Sequence, residues 1–483
     1  MRRHQQHLLP GEARPAIETG VPPQTAIQPR VATITQSAVP QLARTSRESP
    51  APLSYYQERV WKVDRAQGGT AMYNMPFGLR IRGNLDARAL RASLDELVKR
   101  HESFRTIFLL DNGTPAQRVI ESGSAPLEET DLRDLPADQI EPAMRQIADK
   151  EAQWVFELTD RPPIRFHLLR LGACDHVLLV NMHHIISDGW SLKIFKQEFP
   201  ELYRNCLKGR AAELPPLPIQ YVDYAVWQRQ WLSGTRLDQT LKYWRKQLHD
   251  LPLLELPTDR PRLAEPCARS AKCFFTLSAG VTSRLQAVVR ERQATLYMVM
   301  FAMFTWALHQ FTGQYDVTIG GPMANRSRGG LAGIIGLFTN TLPMRIDLAG
   351  ISGLQEAIHR AKETVLGLYQ RQETPYQLLV DELGPARPPG RLPFFEVIIL
   401  ETRIVPWPDL VDCSVESFSL APAIPKYDLG LEYWEAAGEL QGKLTYACER
   451  FDKSTIEHLV SSFVKLLHAA AEGDTRLDNI RIV

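Results

Sequence analysis

The sequence has 483 residues, of which 44% are hydrophobic, 23% charged and 8% aromatic. This composition is typical of globular proteins and excludes a mainly disordered or fibrous chain. The formal net charge is only +1, so the chain lacks the basic character of proteins that bind nucleic acids or anionic membrane surfaces. At about 100–200 residues per domain, the length predicts about two to three structural units or one pair of fused lobes.

The positions of the cysteines and the hydropathy of the chain indicate which kinds of protein can be excluded next. The six cysteines are scattered and form no Cys-x-x-Cys pair, which predicts neither a zinc site nor a disulfide framework. We therefore expect a cytoplasmic protein without a bound metal. The most apolar stretch, residues 294–308, has about 15 residues, whereas a membrane span needs about 20, so we expect a buried helix there. The amino terminus has no apolar run of the signal-peptide type.

Residues 1–50 differ in composition from the rest of the chain. They contain seven prolines, six glutamines and six arginines but no Phe, Trp or Tyr. Such a segment cannot bury enough apolar surface to offset the entropy lost on ordering. We predict a flexible tail, and the alternative is a docking segment that folds on a partner.

A first lobe is expected over residues 51–228, where strands and helices alternate. Apolar residues at every second position predict a strand over 77–82, and Asp86 is placed to cap the helix that follows. A continuous apolar run predicts a buried central strand over 174–184, and helical spacing predicts a helix over 192–206. This alternation predicts α/β layering.

A second lobe is expected over residues 229–483, including a crossover linker at 248–272 in which four prolines interrupt regular structure. Its predicted helices cover 281–292, 294–310, 358–368 and 454–467, and its predicted strands cover 315–319, 394–401, 429–433 and 440–446. The two halves therefore have similar element content, although no repeat is visible in the sequence.

The segment from Asn181 to Trp190 reads NMHHIISDGW and lies where the predicted central strand ends and a helix begins. Side chains at such a position face a cleft, and the first N–H groups of the helix have no intrahelical acceptor. Adjacent strand residues point to opposite faces, so one of His183 and His184 is expected to be structural and the other functional. The imidazole that faces the cleft could accept a proton from an attacking amine or hydroxyl.

Two further residues of this segment carry competing interpretations. Asp188 is either a helix cap or an anionic partner that holds the loop, and Gly189 lets the backbone approach a substrate closely. A histidine pair is more often a packed structural feature than a catalytic one, and an aspartate before a helix is a cap by default. The order of further motifs along the chain favours the functional interpretation.

Six segments in order resemble the core motifs of the condensation domains of nonribosomal peptide synthetases, and the resemblance covers residues 53–483. The segments are Leu53–Trp61, Arg100–Thr106, Asn181–Trp190, Tyr221–Trp227, Ile335–Arg345 and Arg371–Tyr376.

The resemblance implies an α/β fold of two lobes, each like chloramphenicol acetyltransferase, in a V-shaped pseudo-dimer with a central tunnel. Phosphopantetheine arms of carrier proteins enter this tunnel from both sides, so the enzyme itself is expected to bind no cofactor. The resemblance also implies that His184 is catalytic and His183 structural, and that the N–H of Gly189 helps to stabilise the oxyanion.

In this family the motif aspartate forms a buried ion pair with an arginine. For Asp188 the candidates are Arg345 and Arg105, and the sequence does not choose between them. Three further residues are expected at the tunnel or the substrate, namely Ser187, Trp190 and Asn340. For Asn340 the alternative is packing within its loop.

The function implied by the resemblance is transfer of an acyl or peptidyl group from a carrier-protein thioester to an amine or hydroxyl nucleophile. The product is an amide or an ester of nonribosomal peptide or hybrid polyketide biosynthesis, and donor, acceptor and stereochemical subclass stay open. We expect a monomer that acts in trans on its carrier protein. The alternatives are an acyltransferase with a soluble acceptor or CoA donor, a non-catalytic recruitment domain and an epimerase. Retention of both histidines argues against the recruitment domain.

Overall fold

Helices and strands alternate through the part of the chain that the computed structural model describes, which comprises residues 40–121, 123–210, 213–261, 269–384, 391–418, 420, 427–473 and 476–477. The helices are α1 (Tyr55–Ala66), α2 (Ala87–Arg100), α3 (Ala137–Ala152), α4 (Gly189–Leu207), α5 (Tyr221–Trp231), α6 (Gly234–Gln247), α7 (Ala279–Glu291), α8 (Leu296–Thr312), α9 (Leu354–Tyr369), α10 (Tyr376–Leu383) and α11 (Lys453–Glu472). The strands are β1 (Ala51–Pro52), β2 (Asn74–Gly83), β3 (Thr106–Asp111), β4 (Thr114–Val119), β5 (Leu127–Asp131), β6 (Ile164–Gly172), β7 (Asp175–His183), β8 (Ser270–Leu277), β9 (Asp316–Met323), β10 (Asn340–Asp347), β11 (Val397–Glu401), β12 (Cys413–Phe418), β13 (Leu429–Ala436) and β14 (Glu439–Ala447). Among these helices, none combines the length and the apolar character that crossing a bilayer requires.

The first large sheet has the strand order β12-β2-β7-β6-β5, with β7 at its centre. Leu178 and Val180 of β7 belong to the core shared with α2 and α4, whereas Val177 and Leu179 pack with residues of α3 on the other face. Burial on both faces explains why this strand is a continuous apolar run instead of an alternating one. The predicted central strand and the α/β layering are confirmed.

The second large sheet has the order β10-β9-β11-β13-β14-β8 and packs against α7, α8, α9 and α11 in one hydrophobic core. Every residue of α8 from Tyr297 to Leu308 is buried, so the predicted apolar helix lies inside the protein. Strand β11 runs parallel to both β9 and β13, and β13 and β14 form the predicted antiparallel hairpin.

Strand β12 comes from the second half of the sequence but completes the first sheet. Cys413 to Phe418 pair antiparallel with Gly83 to Gly78 of β2. In the segment that precedes β12, the Trp407 ring stacks on the Phe77 ring with centroids 5.4 Å apart. The Nζ of Lys196 on α4 lies 4.9 Å from the centroid of the same indole. The expected division at residue 228 therefore does not separate the two sheets, because residues after 400 cross back to the first one.

Residues 1–39 of the predicted tail lie outside the described residues, but residues 40–50 are described and packed. Arg47 donates to both carboxylate oxygens of Asp223 at 2.8 and 3.0 Å and to Glu102 at 2.8 Å. The indole of Trp227 donates to the carbonyl of Pro40 at 2.8 Å. The expectation of a flexible tail up to residue 50 is thus wrong for its last part, because two buried carboxylates attract the arginine.

Candidate active site

The histidine motif lies on the short turn between β7 and α4. His183 is the last residue of β7 and pairs in register with Asn74 of β2. The N–H of His184 then donates to the carbonyl of Tyr73 at 2.7 Å. His183 is fully buried and His184 is half-buried, so the two imidazoles occupy different environments, as the alternation of strand side chains predicts.

The His184 imidazole is held in a defined tautomer. Its Nδ1 lies 2.8 Å from the backbone carbonyl oxygen of Ser187. A carbonyl oxygen only accepts hydrogen bonds, so Nδ1 carries the proton and, in the neutral ring, the lone pair is on Nε2. Nε2 is therefore the atom of this side chain that can act as a base.

Ser187 contributes to this arrangement through its main chain. Its side chain is fully buried, and its hydroxyl donates to the carbonyl of His183 at 3.1 Å. The sequence predicted that this side chain lies at the tunnel or the substrate, but the structure places it inside the turn. The physical reason is that the hydroxyl donates back to the main chain four residues earlier, where the carbonyl of His183 also accepts from the N–H of Ile186 at 3.1 Å.

The surroundings of His183 are those of a packed side chain. Its Nδ1 accepts a hydrogen bond from the N–H of Ile185 at 3.2 Å. Its ring centroid lies 5.9 Å from that of Tyr73 and 6.0 Å from that of Phe156. These contacts fix the turn and are consistent with the structural role expected for this histidine.

The Asp188 carboxylate is fully buried at the start of α4. It caps the helix by accepting from the N–H of Ser191 at 2.8 Å, and it also accepts from the N–H groups of Phe338 and Thr339 at 3.0 and 3.1 Å. Burial by itself would raise the pKa of Asp188, but the charge of Arg326 and the donors of Ser191 and Phe338 outweigh it, and the pKa is lowered. Asp188 is thus both a cap and a charged anchor, and it ties α4 to the second half of the chain.

Arg326 is the cation that pairs with Asp188, with Nη2 at 3.0 Å from Oδ1. Both side chains are almost completely buried. The guanidinium also donates to the carbonyls of Leu331 and Ile334 and lies 4.0 Å from the ring centroid of Phe338. The ion pair therefore joins the turn before α4 to the loop before β10.

The two arginines expected to pair with Asp188 have other partners. Arg345 on β10 forms a bidentate pair with Asp316 of β9, at 2.6 Å for the closest contact. Arg105 lies 3.7 Å from Glu102 and donates to the carbonyl of Ile120. Both expectations are wrong, because each side chain reaches a partner within its own half of the chain.

Gly189 is the first residue of α4 and is exposed. A β-carbon added at this position would meet no atom within 4 Å, and the N–H of the first helical residue has no intrahelical acceptor. Trp190 is half-buried, and its indole donates to the carbonyl of Ala332 at 2.9 Å. This contact assigns Trp190 to packing between α4 and the loop that carries Arg326.

Asn340 is buried, and its side-chain amide forms hydrogen bonds to the backbone just before α10 and at its first residue. Its Nδ2 donates to the carbonyls of Gln372 and Thr374 at 2.9 and 2.5 Å, and its Oδ1 accepts from the N–H of Tyr376 at 3.1 Å. These three contacts favour the packing alternative over a direct substrate contact.

Sequence reasoning missed two residues that organise this site, Arg326 and Ser191. Ser191 has a local signal, because an aspartate followed three residues later by a side-chain acceptor is a capping box; its Oγ contacts both the N–H and the carbonyl of Gly336 at 3.1 and 3.0 Å. Arg326 has no such signal, since it lies 138 positions from Asp188.

A charged cluster between the first sheet and α3 brings three candidate metal ligands together. The ligand atoms of Glu128, Glu151 and His167 lie within 4.8 Å of one another. Arg165 donates to both carboxylates at 2.9 Å, so its guanidinium already offsets part of their negative charge. We interpret this cluster as an ion-pair network that connects α3 to the first sheet.

Comparisons with known proteins agree with this architecture. The family model described as "Condensation domain" matches residues 47–483. A linear gramicidin synthase of Brevibacillus parabrevis is 37% identical over 434 residues, which is 88% of this chain and 6% of that protein. The phosphinothricin tripeptide synthetase PhsB of Streptomyces viridochromogenes is 37% identical over 444 residues, which is 91% of this chain and 37% of that protein. The chain therefore spans only a fraction of the length of these relatives.

Solved structures show the same fold. The X-domain in its complex with OxyB from teicoplanin biosynthesis is 27% identical and superimposes with a TM-score of 0.81, covering 92% of this chain and 99% of that one. The first condensation domain of the calcium-dependent antibiotic synthetase is 21% identical with a TM-score of 0.70, covering 88% and 97%. The expected chloramphenicol-acetyltransferase-like fold is confirmed, and the chain belongs to the condensation domain family of nonribosomal peptide synthetases.

Proposed function

We propose that this chain is an acyltransferase that joins a carrier-bound acyl or peptidyl group to an amine or hydroxyl nucleophile. The observation that carries the proposal is the His184 imidazole, whose Nδ1 proton is fixed on the Ser187 carbonyl so that Nε2 holds the lone pair. Family membership and the position of the histidine in the motif support the same assignment.

The reaction follows from this geometry. His184 Nε2 orients the nucleophile and takes its proton as the nitrogen or oxygen attacks the thioester carbonyl carbon. Negative charge then develops on the carbonyl oxygen, where the N–H of Gly189 at the start of α4 can stabilise it. When the carbon–sulfur bond breaks, the proton passes from His184 to the departing thiolate, which leaves as the thiol of the carrier arm.

The donor partner in this proposal is a carrier protein bearing a phosphopantetheine thioester, which acts in trans. Support comes from relatives that are synthases of peptides, such as the linear gramicidin synthase and the phosphinothricin tripeptide synthetase. The product is an amide when the nucleophile is an amine and an ester when it is a hydroxyl. The Asp188–Arg326 pair serves the reaction by holding the turn that carries His184 against the second half of the chain.

Intact-protein mass spectrometry tests the proposal. An acyl-loaded carrier protein is incubated with candidate amines and alcohols and with the wild type, His184→Ala or the control His359→Ala. His359 lies on α9 with 70% of its side chain exposed, so its loss should leave transfer unchanged. Loss of the acyl group from the carrier, together with a coupled product, is expected for the wild type and the control but not for His184→Ala.

Three other results would contradict the proposal or favour an alternative. Equal transfer by wild type and His184→Ala would remove the histidine from the reaction. Tight binding of a partner protein without transfer to any nucleophile would favour a recruitment domain, and the similar X-domain from teicoplanin biosynthesis forms a complex with OxyB. Transfer from a CoA thioester but not from a carrier would indicate a soluble donor.

A further inference from the structure

Asn325 immediately precedes Arg326 and lies where the chain leaves β9. It is 4% exposed, and its backbone has φ +52°. Residues other than glycine rarely adopt this left-handed conformation, and asparagine tolerates it better than alanine does. The sharp change of direction turns the next residue away from the second sheet, toward the motif aspartate.

The Asn325 side chain is held by groups from the first half of the chain. Its Nδ2 donates to the hydroxyl of Tyr56 on α1 at 2.8 Å and to the hydroxyl of Tyr224 on α5 at 3.1 Å. Both tyrosines are buried, and Gln228 donates to the Tyr224 hydroxyl at 3.2 Å. One amide therefore connects α1, α5 and the end of β9.

The position of Arg326 depends on this junction. Its guanidinium must reach the carboxylate of Asp188 at 3.0 Å while it donates to the carbonyls of Leu331 and Ile334. A long side chain holds several acceptors at once only when its Cα is fixed in position and direction. The left-handed turn sets the direction, and the two tyrosine hydroxyls set the position.

We propose that Asn325 is a positioning residue for the reaction, which acts through Arg326 and Asp188 on the turn that carries His184. The reaction itself is the proposed acyl transfer, so the kinetic part of this inference rests on that proposal. The structural part does not, because the N–H groups of Phe338 and Thr339 that donate to Asp188 can be observed without any substrate.

Three substitutions separate the backbone contribution from the amide contribution. Asn325→Gly keeps access to the left-handed conformation but removes the amide, whereas Asn325→Ala removes both. The matched control is Asn112→Ala, because Asn112 also has a left-handed backbone, with φ +49°, but lies in the exposed turn between β3 and β4. Hydrogen exchange is measured on the substrate-free proteins, and transfer from an acyl-loaded carrier protein is measured in parallel.

We expect Asn325→Ala to accelerate exchange of the Phe338 and Thr339 amides by about tenfold or more, and Asn325→Gly to do so by roughly threefold. In the transfer assay kcat should fall by similar factors with KM for the carrier almost unchanged, since the carrier does not contact this buried junction. Asn112→Ala should change neither quantity, although it loses stability.

Exchange at the Phe338 and Thr339 amides that equals the wild type in both Asn325 variants would overturn the proposal. If Asn325→Ala does not fold, Asn325→Gly and the double variant Tyr56→Phe/Tyr224→Phe decide, because both remove the hydrogen bonds between the Asn325 amide and the tyrosine hydroxyls. Both should accelerate exchange, and the double variant at least as much, since it also removes the hydrogen bond from Gln228 to Tyr224. Failure of the wild type to transfer any acyl group would refute the proposed reaction instead, while the exchange result would still stand.

Discussion

Replacing Arg326 by methionine should cost about 3–5 kcal/mol of folding free energy, because the buried carboxylate of Asp188 loses its counter-ion. The carboxylate keeps its donors from Ser191, Phe338 and Thr339, so the lower part of this range is expected. With an unfolding entropy of about 2.1 cal/mol/K per residue over roughly 440 residues, this lower part corresponds to a fall in the melting temperature of about 3–4 °C.

The destabilisation caused by Arg326→Met should also depend on pH, and it should become smaller as the pH falls. In the wild type the pKa of Asp188 is lowered, so its contribution to stability is present above the ordinary pKa near 3.9 and is lost as the pH falls. Without Arg326, burial should raise the pKa of Asp188 above that value. The variant should then gain stability relative to the wild type as the pH falls from 7 toward 4, because protonation removes the unpaired charge.

Urea unfolding measures the free energy of coupling between Asp188 and Arg326. The four proteins compared are the wild type, Arg326→Met, Asp188→Asn and the double variant. We expect a coupling energy of about 2 kcal/mol between the two positions. Kinetic assays on the same proteins should show activity falling in both single variants. A coupling energy below about 0.5 kcal/mol, or a penalty that is the same at pH 7 and pH 5, would refute the argument that the pair acts as one buried unit.

Three other predictions concern residues outside the histidine motif. Arg47→Ala should lower stability by about 2 kcal/mol in chemical denaturation, because the side chain of Asp223 is fully buried and loses its counter-ion; no loss would show that residues 40–50 are only loosely attached. Burial would raise the pKa of Glu151, but hydrogen bonds from neighbouring basic groups outweigh it and lower the pKa to about 2. Stability from Glu151 is therefore lost as the pH falls from about 4.5 to 2, and Glu151→Gln should flatten the acid-unfolding curve in that window. Gly336→Ala should sharply reduce soluble, folded protein, because the new β-carbon would lie 1.9 Å from the Tyr221 ring; a variant that melts like the wild type would contradict this.

Local patterns in the sequence were sufficient to predict individual elements, including the strand that ends in the histidine motif. The alternation of side chains along a strand predicted that the two histidines would face different environments, and the structure buries His183 completely while leaving His184 half-buried. Helix α8 was predicted within two residues of its observed bounds. These features depend on spacing within one segment, which a sequence displays directly.

The contacts between distant segments could not be predicted in the same way. Arg345 and Arg105 were reasonable partners for Asp188 by motif, but each is captured by an acid in its own half. Arg326, the actual partner, lies 138 positions from Asp188 and follows a residue with a left-handed backbone. Likewise, nothing local to residues 413–418 indicates that they complete the first sheet. Such pairings depend on how the sheets pack, and packing is not encoded in the period of one segment.

The return of β12 to the first sheet has a consequence for synthesis of the chain on the ribosome. Strand β2 is made early, but its neighbour at residues 413–418 emerges only after the whole of β9, β10 and β11. Strand β2 can pair once β7 is complete at residue 183, and at about 5–20 residues per second the interval from there to residue 418 is roughly 12–47 s. Throughout that time β2 is an uncovered sheet edge, which is a site for mispairing with other nascent chains. Exchange of the second half between related enzymes therefore also exchanges the strand that protects this edge, and the compatibility of residues 413–418 with β2 should decide which chimaeras fold.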